Sequence, residues 1–516
     1  MKLRSGVAWS IFIGWLTIVG VHVKREYFVP EAERLAEGAR RLAPGSYYYV
    51  VRLNGRAIGT ATTQFIEMSD SVPPGYLLTD DLLLDVPAMD GVHRAVTQSR
   101  IRLDTSLRMI EFTFRLGSRI GDFHVAGTTK PDSSLDLVVN AGGGSQRARV
   151  PITGGGAILD GAIGPRLAAA GRLRVGEAAT VRTFDPSALE TRDVTIRVTA
   201  TDTLIVPDSA DVVDGLWRTT VWDTIPVWRL EQDIGSVSMA SWVDEDGLVV
   251  RAESPLGFAI ERTTYEMARQ EWVDARGDPT MTAGYGALIE STAIASNVNL
   301  HGIEARPDLS VRLLGVDLSG FDLSGGRQSL TGDTLTVTRE SLRDIADGGY
   351  ALPYRGMSAE ALAELGATPL IQSDDRRIRE RAASILGDVT DPVEAARKLN
   401  GWVFSSVRKE ITPSIPSAVQ VLRALRGDCN EHTVLFVALA RSVGLPARTA
   451  IGLVSIEGRF YYHAWPEVWL ADRWVAMDPT LGQFPADASH LRFLVGGLAR
   501  QVELIRLIGR LEIEAI

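Results

Sequence analysis

The chain has 516 residues, an apolar content of 45% and a formal net charge of −10. That length exceeds one ordinary hydrophobic core, so about two to four domains are expected. A pI near 5.4, without clustered Lys and Arg, excludes nucleic acid as the expected partner.

The first feature in chain order is an apolar run from Val7 to Val23, broken only by Ser10, Thr17 and His22. Lys2 and Arg4 precede it and Lys24 and Arg25 follow it. A full span needs about 20 apolar residues and a cleaved signal core has about 7 to 15, so residues 1–25 read as a short signal anchor and the membrane as a partner. A cleaved signal peptide is the alternative, although no convincing small-x-small site precedes Lys24. The amino-terminal charges favour an N-in orientation, which places the remaining chain in the periplasm or outside the cell.

Residues 26–275 are expected to form a β-rich antiparallel domain. From Ser46 to about Arg269, short β-branched and aromatic runs alternate with the turn dipeptides Asn54-Gly55, Asp214-Gly215 and Asp246-Gly247. Glycine triplets at 142–144 and 154–156 and a helical stretch from Leu167 to Ala170 interrupt the strands. Neither triplet is followed by Gly-Lys-Ser/Thr, so both are loops rather than phosphate cradles. Residues 276–375 read as a linking β module, with alternation at Ser310 to Leu314 and Leu335 to Val337. Its Asp-Leu-Ser-Gly repeat at 317–320 and 322–325 lacks the ligand alternation of a calcium loop and is assigned to turns.

Helical periodicity opens the last segment, 376–516. Ile378, Ala382 and Ile385 share one face, and Ala395, Leu399, Trp402 and Val403 share another after Asp391-Pro392. Pro413 and Pro416 break the pattern. A helix over Val434 to Ala440 and strands over Thr449 to Ile456, Phe460 to Leu470 and Trp474 to Met477 follow, joined by hairpin-sized links.

Cys429 is the only cysteine, so no intramolecular disulfide can form. Asp428 and Glu431 have the spacing of an N-cap and its reciprocal partner, which puts Cys429 at the first turn of a helix. Unpaired N–H groups and the positive end of the helix dipole favour thiolate there, drawing a free thiol from near 8.5 toward roughly 3.5 to 7.5 when a histidine cation assists. His463 in the middle strand and Asp478 after the next can be brought side by side by antiparallel pairing, giving a nucleophile, a base and an orienting carboxylate.

These residues lie in four segments: Gly427-Asp428-Cys429-Asn430-Glu431-His432-Thr433, then Gly444-Leu445-Pro446-Ala447-Arg448, then His463-Ala464-Trp465-Pro466-Glu467-Val468-Trp469, then Trp474 and Asp478-Pro479-Thr480. In that order they resemble the bacterial transglutaminase-like domain of the papain-like superfamily. The resemblance implies an α+β papain-like core in which Cys429 is acylated by an amide, His463 transfers protons and Asp478 orients the imidazole. Upstream, Asn54 to Gly59 and Ser241 to Gly247 look like the β-rich regions of exported members of that family, and no function carries over from them.

The expected molecule is therefore multidomain, with β-rich antiparallel N-terminal and middle domains and a C-terminal papain-like catalytic domain. It acts through a thioester on amides of protein or peptide substrates, without cofactor or metal. Hydrolysis is favoured over cross-linking because no calcium loop is visible; a non-catalytic envelope binding or assembly protein is the alternative. His432, Glu431 and Glu467 are read as structural and His490 is unassigned. Gln420 is a candidate oxyanion side chain by residue type only.

Overall fold

The computed structural model describes residues 44–516 except 89–90, 106–107, 119–120, 153–157, 160–173, 188, 235–236, 256, 277–292, 298–299, 301, 304–305, 346–348 and 411–413. The expected anchor, the glycine triplet at 154–156 and the helical stretch at 167–170 lie outside the described residues. Among those described, no helix is long and apolar enough to cross a membrane.

The alternating runs build one 15-stranded sheet. Strands from Gly45–Leu53 to Gly144–Pro151 follow each other as antiparallel neighbours. Strand Phe258–Thr263 pairs on the other side of Gly45–Leu53, and the sheet runs back from it to Ala178–Asp185 and a short parallel edge, Ile158–Leu159. Hairpin chemistry fixes this order. Asn54 and Gly55 (φ 49° and 81°), like Asp214 and Gly215 (φ 53° and 81°), take the two positive φ values that a tight turn matching strand twist requires. Gly142 and Gly143 do the same between Ser134–Ala141 and Gly144–Pro151, so the first glycine triplet is a hairpin turn. The sheet curls over its own apolar face: Phe184, near one edge, joins the buried cluster of Phe65, Phe112 and Phe123, with the Phe112 and Phe184 rings 5.5 Å apart.

The linking segment does not stand apart from the C-terminal one. Ile294–Ala295 pairs with Arg459 and Phe460, and the last strand of the chain, Glu512–Ala515, pairs with Asp308–Leu314. The Asp-Leu-Ser-Gly repeat is a turn at its first copy, where Asp317 Oδ1 accepts from Ser319 N at 2.9 Å.

In the C-terminal region, Asp375 caps helix Arg376–Leu386, and Asp391 caps Pro392–Ser406 with Pro392 in its first turn. Their apolar faces, including Ile378, Ala382, Leu399 and Val403, pack with the Cys429–Ser442 helix, with Val468 and Val475 of the sheet and with Met477 just after it. A further helix, Ala418–Ala424, capped by Ser417, follows the prolines and was not legible from periodicity. The strands Ala447–Ile456, Arg459–Leu470 and Arg473–Ala476 form the expected meander through links at Glu457-Gly458 and Ala471-Asp472, all with positive φ. A fourth strand, Leu491–Val495, pairs with Ala447–Ile456.

Glu467 ties this sheet to its surroundings. Buried, it bonds Arg448 Nε at 2.8 Å through one oxygen and Arg492 Nη1 at 3.3 Å through the other. Glu467→Ala leaves the buried Arg492 guanidinium without its carboxylate partner, while Arg448 keeps Glu360, and is expected to destabilise the protein by about 3–5 kcal/mol in urea unfolding. An unchanged midpoint and slope would show that the carboxylate is dispensable to the fold.

Candidate functional site

Three elements bring Cys429, His463 and Asp478 together. Asp428 holds the helix start: its Oδ1 accepts from Asn430 N at 2.8 Å, and Glu431 Oε2 accepts from Asp428 N at 2.9 Å, forming the expected capping box. Glu431 is anchored further by Ser414 Oγ at 2.7 Å. Thr433 Oγ1 donates to Ala464 O at 3.1 Å, which fixes this helix to the strand that carries His463. Gly452 lies opposite His463 on one side and opposite Arg492 on the other. A side chain there would collide with Leu491 O, so only glycine lets these strands approach so closely.

Asp478 follows strand Arg473–Ala476. Its backbone exchanges two hydrogen bonds with Gln483, each 2.9 Å, and its Oδ1 accepts from Thr480 N at 2.7 Å and Leu481 N at 3.0 Å. The turn residue and the histidine partner are thus one residue, since the second oxygen, Oδ2, meets His463 Nε2 at 2.7 Å. Nδ1 of the ring is left for exchange with Cys429, whose sulfur interacts with the imidazole through charge and hydrogen bonding and also receives the Ala464 amide.

Electrostatics at the site run in opposed directions. Burial disfavours charge on His463, but the Asp478 carboxylate and the Cys429 sulfur outweigh it, and the imidazole pKa is pushed up to about 9. Burial also opposes ionisation of Asp478, yet His463 and then His490 hold it well below the usual carboxylate range. The thiol departs from the sequence expectation: burial, then the charge of Asp428, push the Cys429 pKa up, and His463 and the Ala464 amide only partly reverse this. Asp428 itself is raised well above the ordinary carboxylate value by burial and by Glu431, which shares a hydrogen bond with it.

His432 is fully buried, with Nδ1 2.7 Å from Asp428 O, and burial lowers its pKa. It is a neutral prop of the helix start. Gln420 does not serve Cys429; its Nε2 donates to Asp122 O at 2.7 Å, across a seam where Arg377 and Arg423 also reach Gly142 O. The seam encloses a cleft of about 740 Å³ lined by both regions, with Arg426 at its Cys429 end in sequence.

Sequence reasoning missed the role of His490. Fully buried, it places Nε2 3.1 Å from Asp478 Oδ2 and Nδ1 3.1 Å from Asp487 Oδ1. Among the described residues, His463, Asp478 and His490 are the side chains that could crowd around a cation, their ligand atoms lying within 4.8 Å of one another. Hydrogen bonds from both rings to one carboxylate oxygen account for that proximity. The available signal was Asp487-Ala488-Ser489-His490 directly before Leu491–Val495, which is apolar except for Arg492: a turn feeding a sheet strand, with His490 at its mouth.

An uncharacterized protein of Haemophilus influenzae is 29% identical over 101 residues, which are 19% of this chain and 27% of that protein, so the chain spans about a quarter of that relative's length. Two solved structures are similar at low TM-score. One, from Cytophaga hutchinsonii and provisionally described as a cysteine protease, has 16% identity over 40% of this chain and 83% of its own, with TM-score 0.29. The other, a β-barrel-like protein of a domain of unknown function from Brucella abortus, has 14% identity over 43% and 95%, with TM-score 0.31. Residues 379–479, which hold Cys429, His463 and Asp478, match the family described as the transglutaminase-like superfamily and form a transglutaminase-like domain.

Proposed function

We propose that this domain is a cysteine-dependent acyl transferase acting on amide bonds of protein or peptide substrates, with Cys429 as nucleophile, His463 as acid and base and Asp478 as the group that orients His463. The observation that supports it most is the continuous contact from Cys429 through His463 to Asp478, two of whose members are buried. Neutral His463 takes the Cys429 thiol proton as the sulfur adds to the amide carbonyl. The resulting oxyanion meets the Cys429 N–H, the first helical amide, since the amides of Asn430 and Glu431 are held by Asp428 and that of His432 by Asp428 O. His463 gives its proton to the departing amine as the C–N bond breaks, leaving a thioester. Water or a second amine then attacks that thioester, losing a proton to His463 and releasing the Cys429 sulfur. Hydrolysis is the favoured outcome, with the chain tethered outside the cytoplasm by its apolar run at 7–23.

A second reading, a binding or assembly protein that keeps the fold without turnover, is favoured by two observations: the thiol is half-buried, and burial and Asp428 push its pKa up. Iodoacetamide labelling of the native protein separates the two, because only one site can react. Catalysis requires a native thiol that labels, with an inflection near pH 9 as His463 loses its proton. A thiol inert until denaturation would favour the binding protein.

Asp478→Asn carries a prediction with a definite sign. The folded pKa of His463, about 9, lies above its unfolded value near 6.5, so its charge stabilises the fold fully below about pH 6.5 and the contribution fades as pH rises through about 9. The difference corresponds to on the order of 3 kcal/mol. Asp478→Asn removes the first of the groups that raise His463, so the loss of stability between pH 6 and 9.5 in urea unfolding should be much smaller than in the unaltered protein. Equal losses in both proteins would contradict the pairing.

A further inference from the structure

His490 is a buried titratable group that the proposed chemistry does not use. Both its ring nitrogens face carboxylate oxygens, Asp478 Oδ2 and Asp487 Oδ1, each at 3.1 Å. An ionised carboxylate only accepts, so both nitrogens must carry hydrogen and the ring must be an imidazolium. Asp487 is built to remain ionised: its Oδ1 also accepts from Ser489 N at 2.9 Å and Ser489 Oγ at 2.6 Å, and its Oδ2 from Gln483 Nε2 at 2.8 Å.

We propose that His490 is a positioning residue, an imidazolium fixed between Asp487 and Asp478 that shares the Asp478 oxygen holding His463 and so limits how tightly His463 keeps its proton. This rests on Cys429 and His463 being the reactive pair. The His490 ring centre lies 6.0 Å from that of His463 and meets the face or edge of Trp465 at 84° and 5.1 Å. From the surrounding elements His490 faces Asp478, Asp487 and His463, with the Cys429 sulfur beyond His463. The next charged layer is Arg327, which donates to Ala486 O and Asp487 O and pairs with Glu340, with Glu467 near it. Burial opposes charge on His490, but its bonds to Asp478 and Asp487 raise its pKa nonetheless. A second cation on Asp478 Oδ2 has a chemical use. A His463 bound only to a full carboxylate charge would be a poorer acid toward the leaving amine, whereas one sharing that charge gives up its proton closer to neutral pH.

The test is the pH profile of iodoacetamide labelling at Cys429 in the full chain. His490→Gln retains a donor but removes the positive charge, so the His463 inflection should move upward by on the order of one pH unit, as expected for loss of a cation about 6 Å away. An unchanged inflection, or one moved downward, overturns the proposal. His463→Ala is the companion: it should abolish this inflection, and its survival there would place the fault with the reactive pair instead of His490. Should His490→Gln fail to fold, histidine-selective carbon-13 NMR of the unaltered protein decides, since seven histidines are few enough to assign. A His490 ring cationic at pH 7 supports the proposal, and a neutral one overturns it.

Discussion

Cys429→Ala is expected to reduce amide cleavage or amine incorporation to the uncatalysed background, a loss on the order of a million-fold if the nucleophile acts as in other triads. No second thiol can substitute, because the chain has one cysteine. The fold should survive. Residue 429 is half-buried in the first turn of the Cys429–Ser442 helix, whose start is held by Asp428 and Glu431, and alanine is the best helix former. Removing the thiol also removes a group whose ionisation burial opposes. The measurement is turnover of a peptide amide by purified variant, with unfolding by far-UV circular dichroism as control. Undiminished turnover by a folded variant would end the cysteine mechanism.

What could be read in the sequence was what short-range chemistry dictates. The reciprocal spacing of Asp428 and Glu431 specifies a capping box and the structure has it; Asn54-Gly55 and Asp214-Gly215 specify hairpins and they turn the large sheet. Asp478 was legible as a partner for His463 because one hairpin, Leu470 against Arg473, brings the strands together. Residues beyond that reach were not. Asp487 and His490 join the site through a strand that pairs with Ala447–Ile456, some forty residues earlier in the chain, and no local pattern announces that pairing. Helix Ala418–Ala424 is too short, at seven residues, for periodicity to reveal.

The misjudged quantity is the thiol. A helix start beside a histidine argues for easy ionisation, but that argument leaves out burial, which needs coordinates, and the charge on Asp428 just before the thiol. The structure also shows Gln420 holding Asp122 instead of facing Cys429, so the 15-stranded region touches the very helix that leads into the reactive segment. Residue type alone pointed to the oxyanion; only the long-range contact shows where the amide is bound.

His463→Ala should lower turnover by a factor on the order of 100 to 10,000, the usual worth of a positioned general acid and base. The same substitution deletes the main group that counters burial and Asp428 at the thiol, so labelling at Cys429 should require higher pH. His432 offers the internal comparison, because it too is a buried histidine close to Cys429 in sequence. Its Nδ1 is bound to Asp428 O at 2.7 Å, while Asp478 Oδ2 is engaged by His463 and His490. His432→Ala should therefore cost stability, about 1–3 kcal/mol for a lost buried hydrogen bond, and leave turnover within about tenfold once the fraction folded is taken into account. Burial keeps His432 neutral where His463 is held cationic, so the two variants should also differ in labelling, with little movement of the inflection for His432→Ala. If His432→Ala were the more damaging to turnover while folded, the base would have to be reassigned to the helix, and Asp478 would be left orienting a residue that moves no proton.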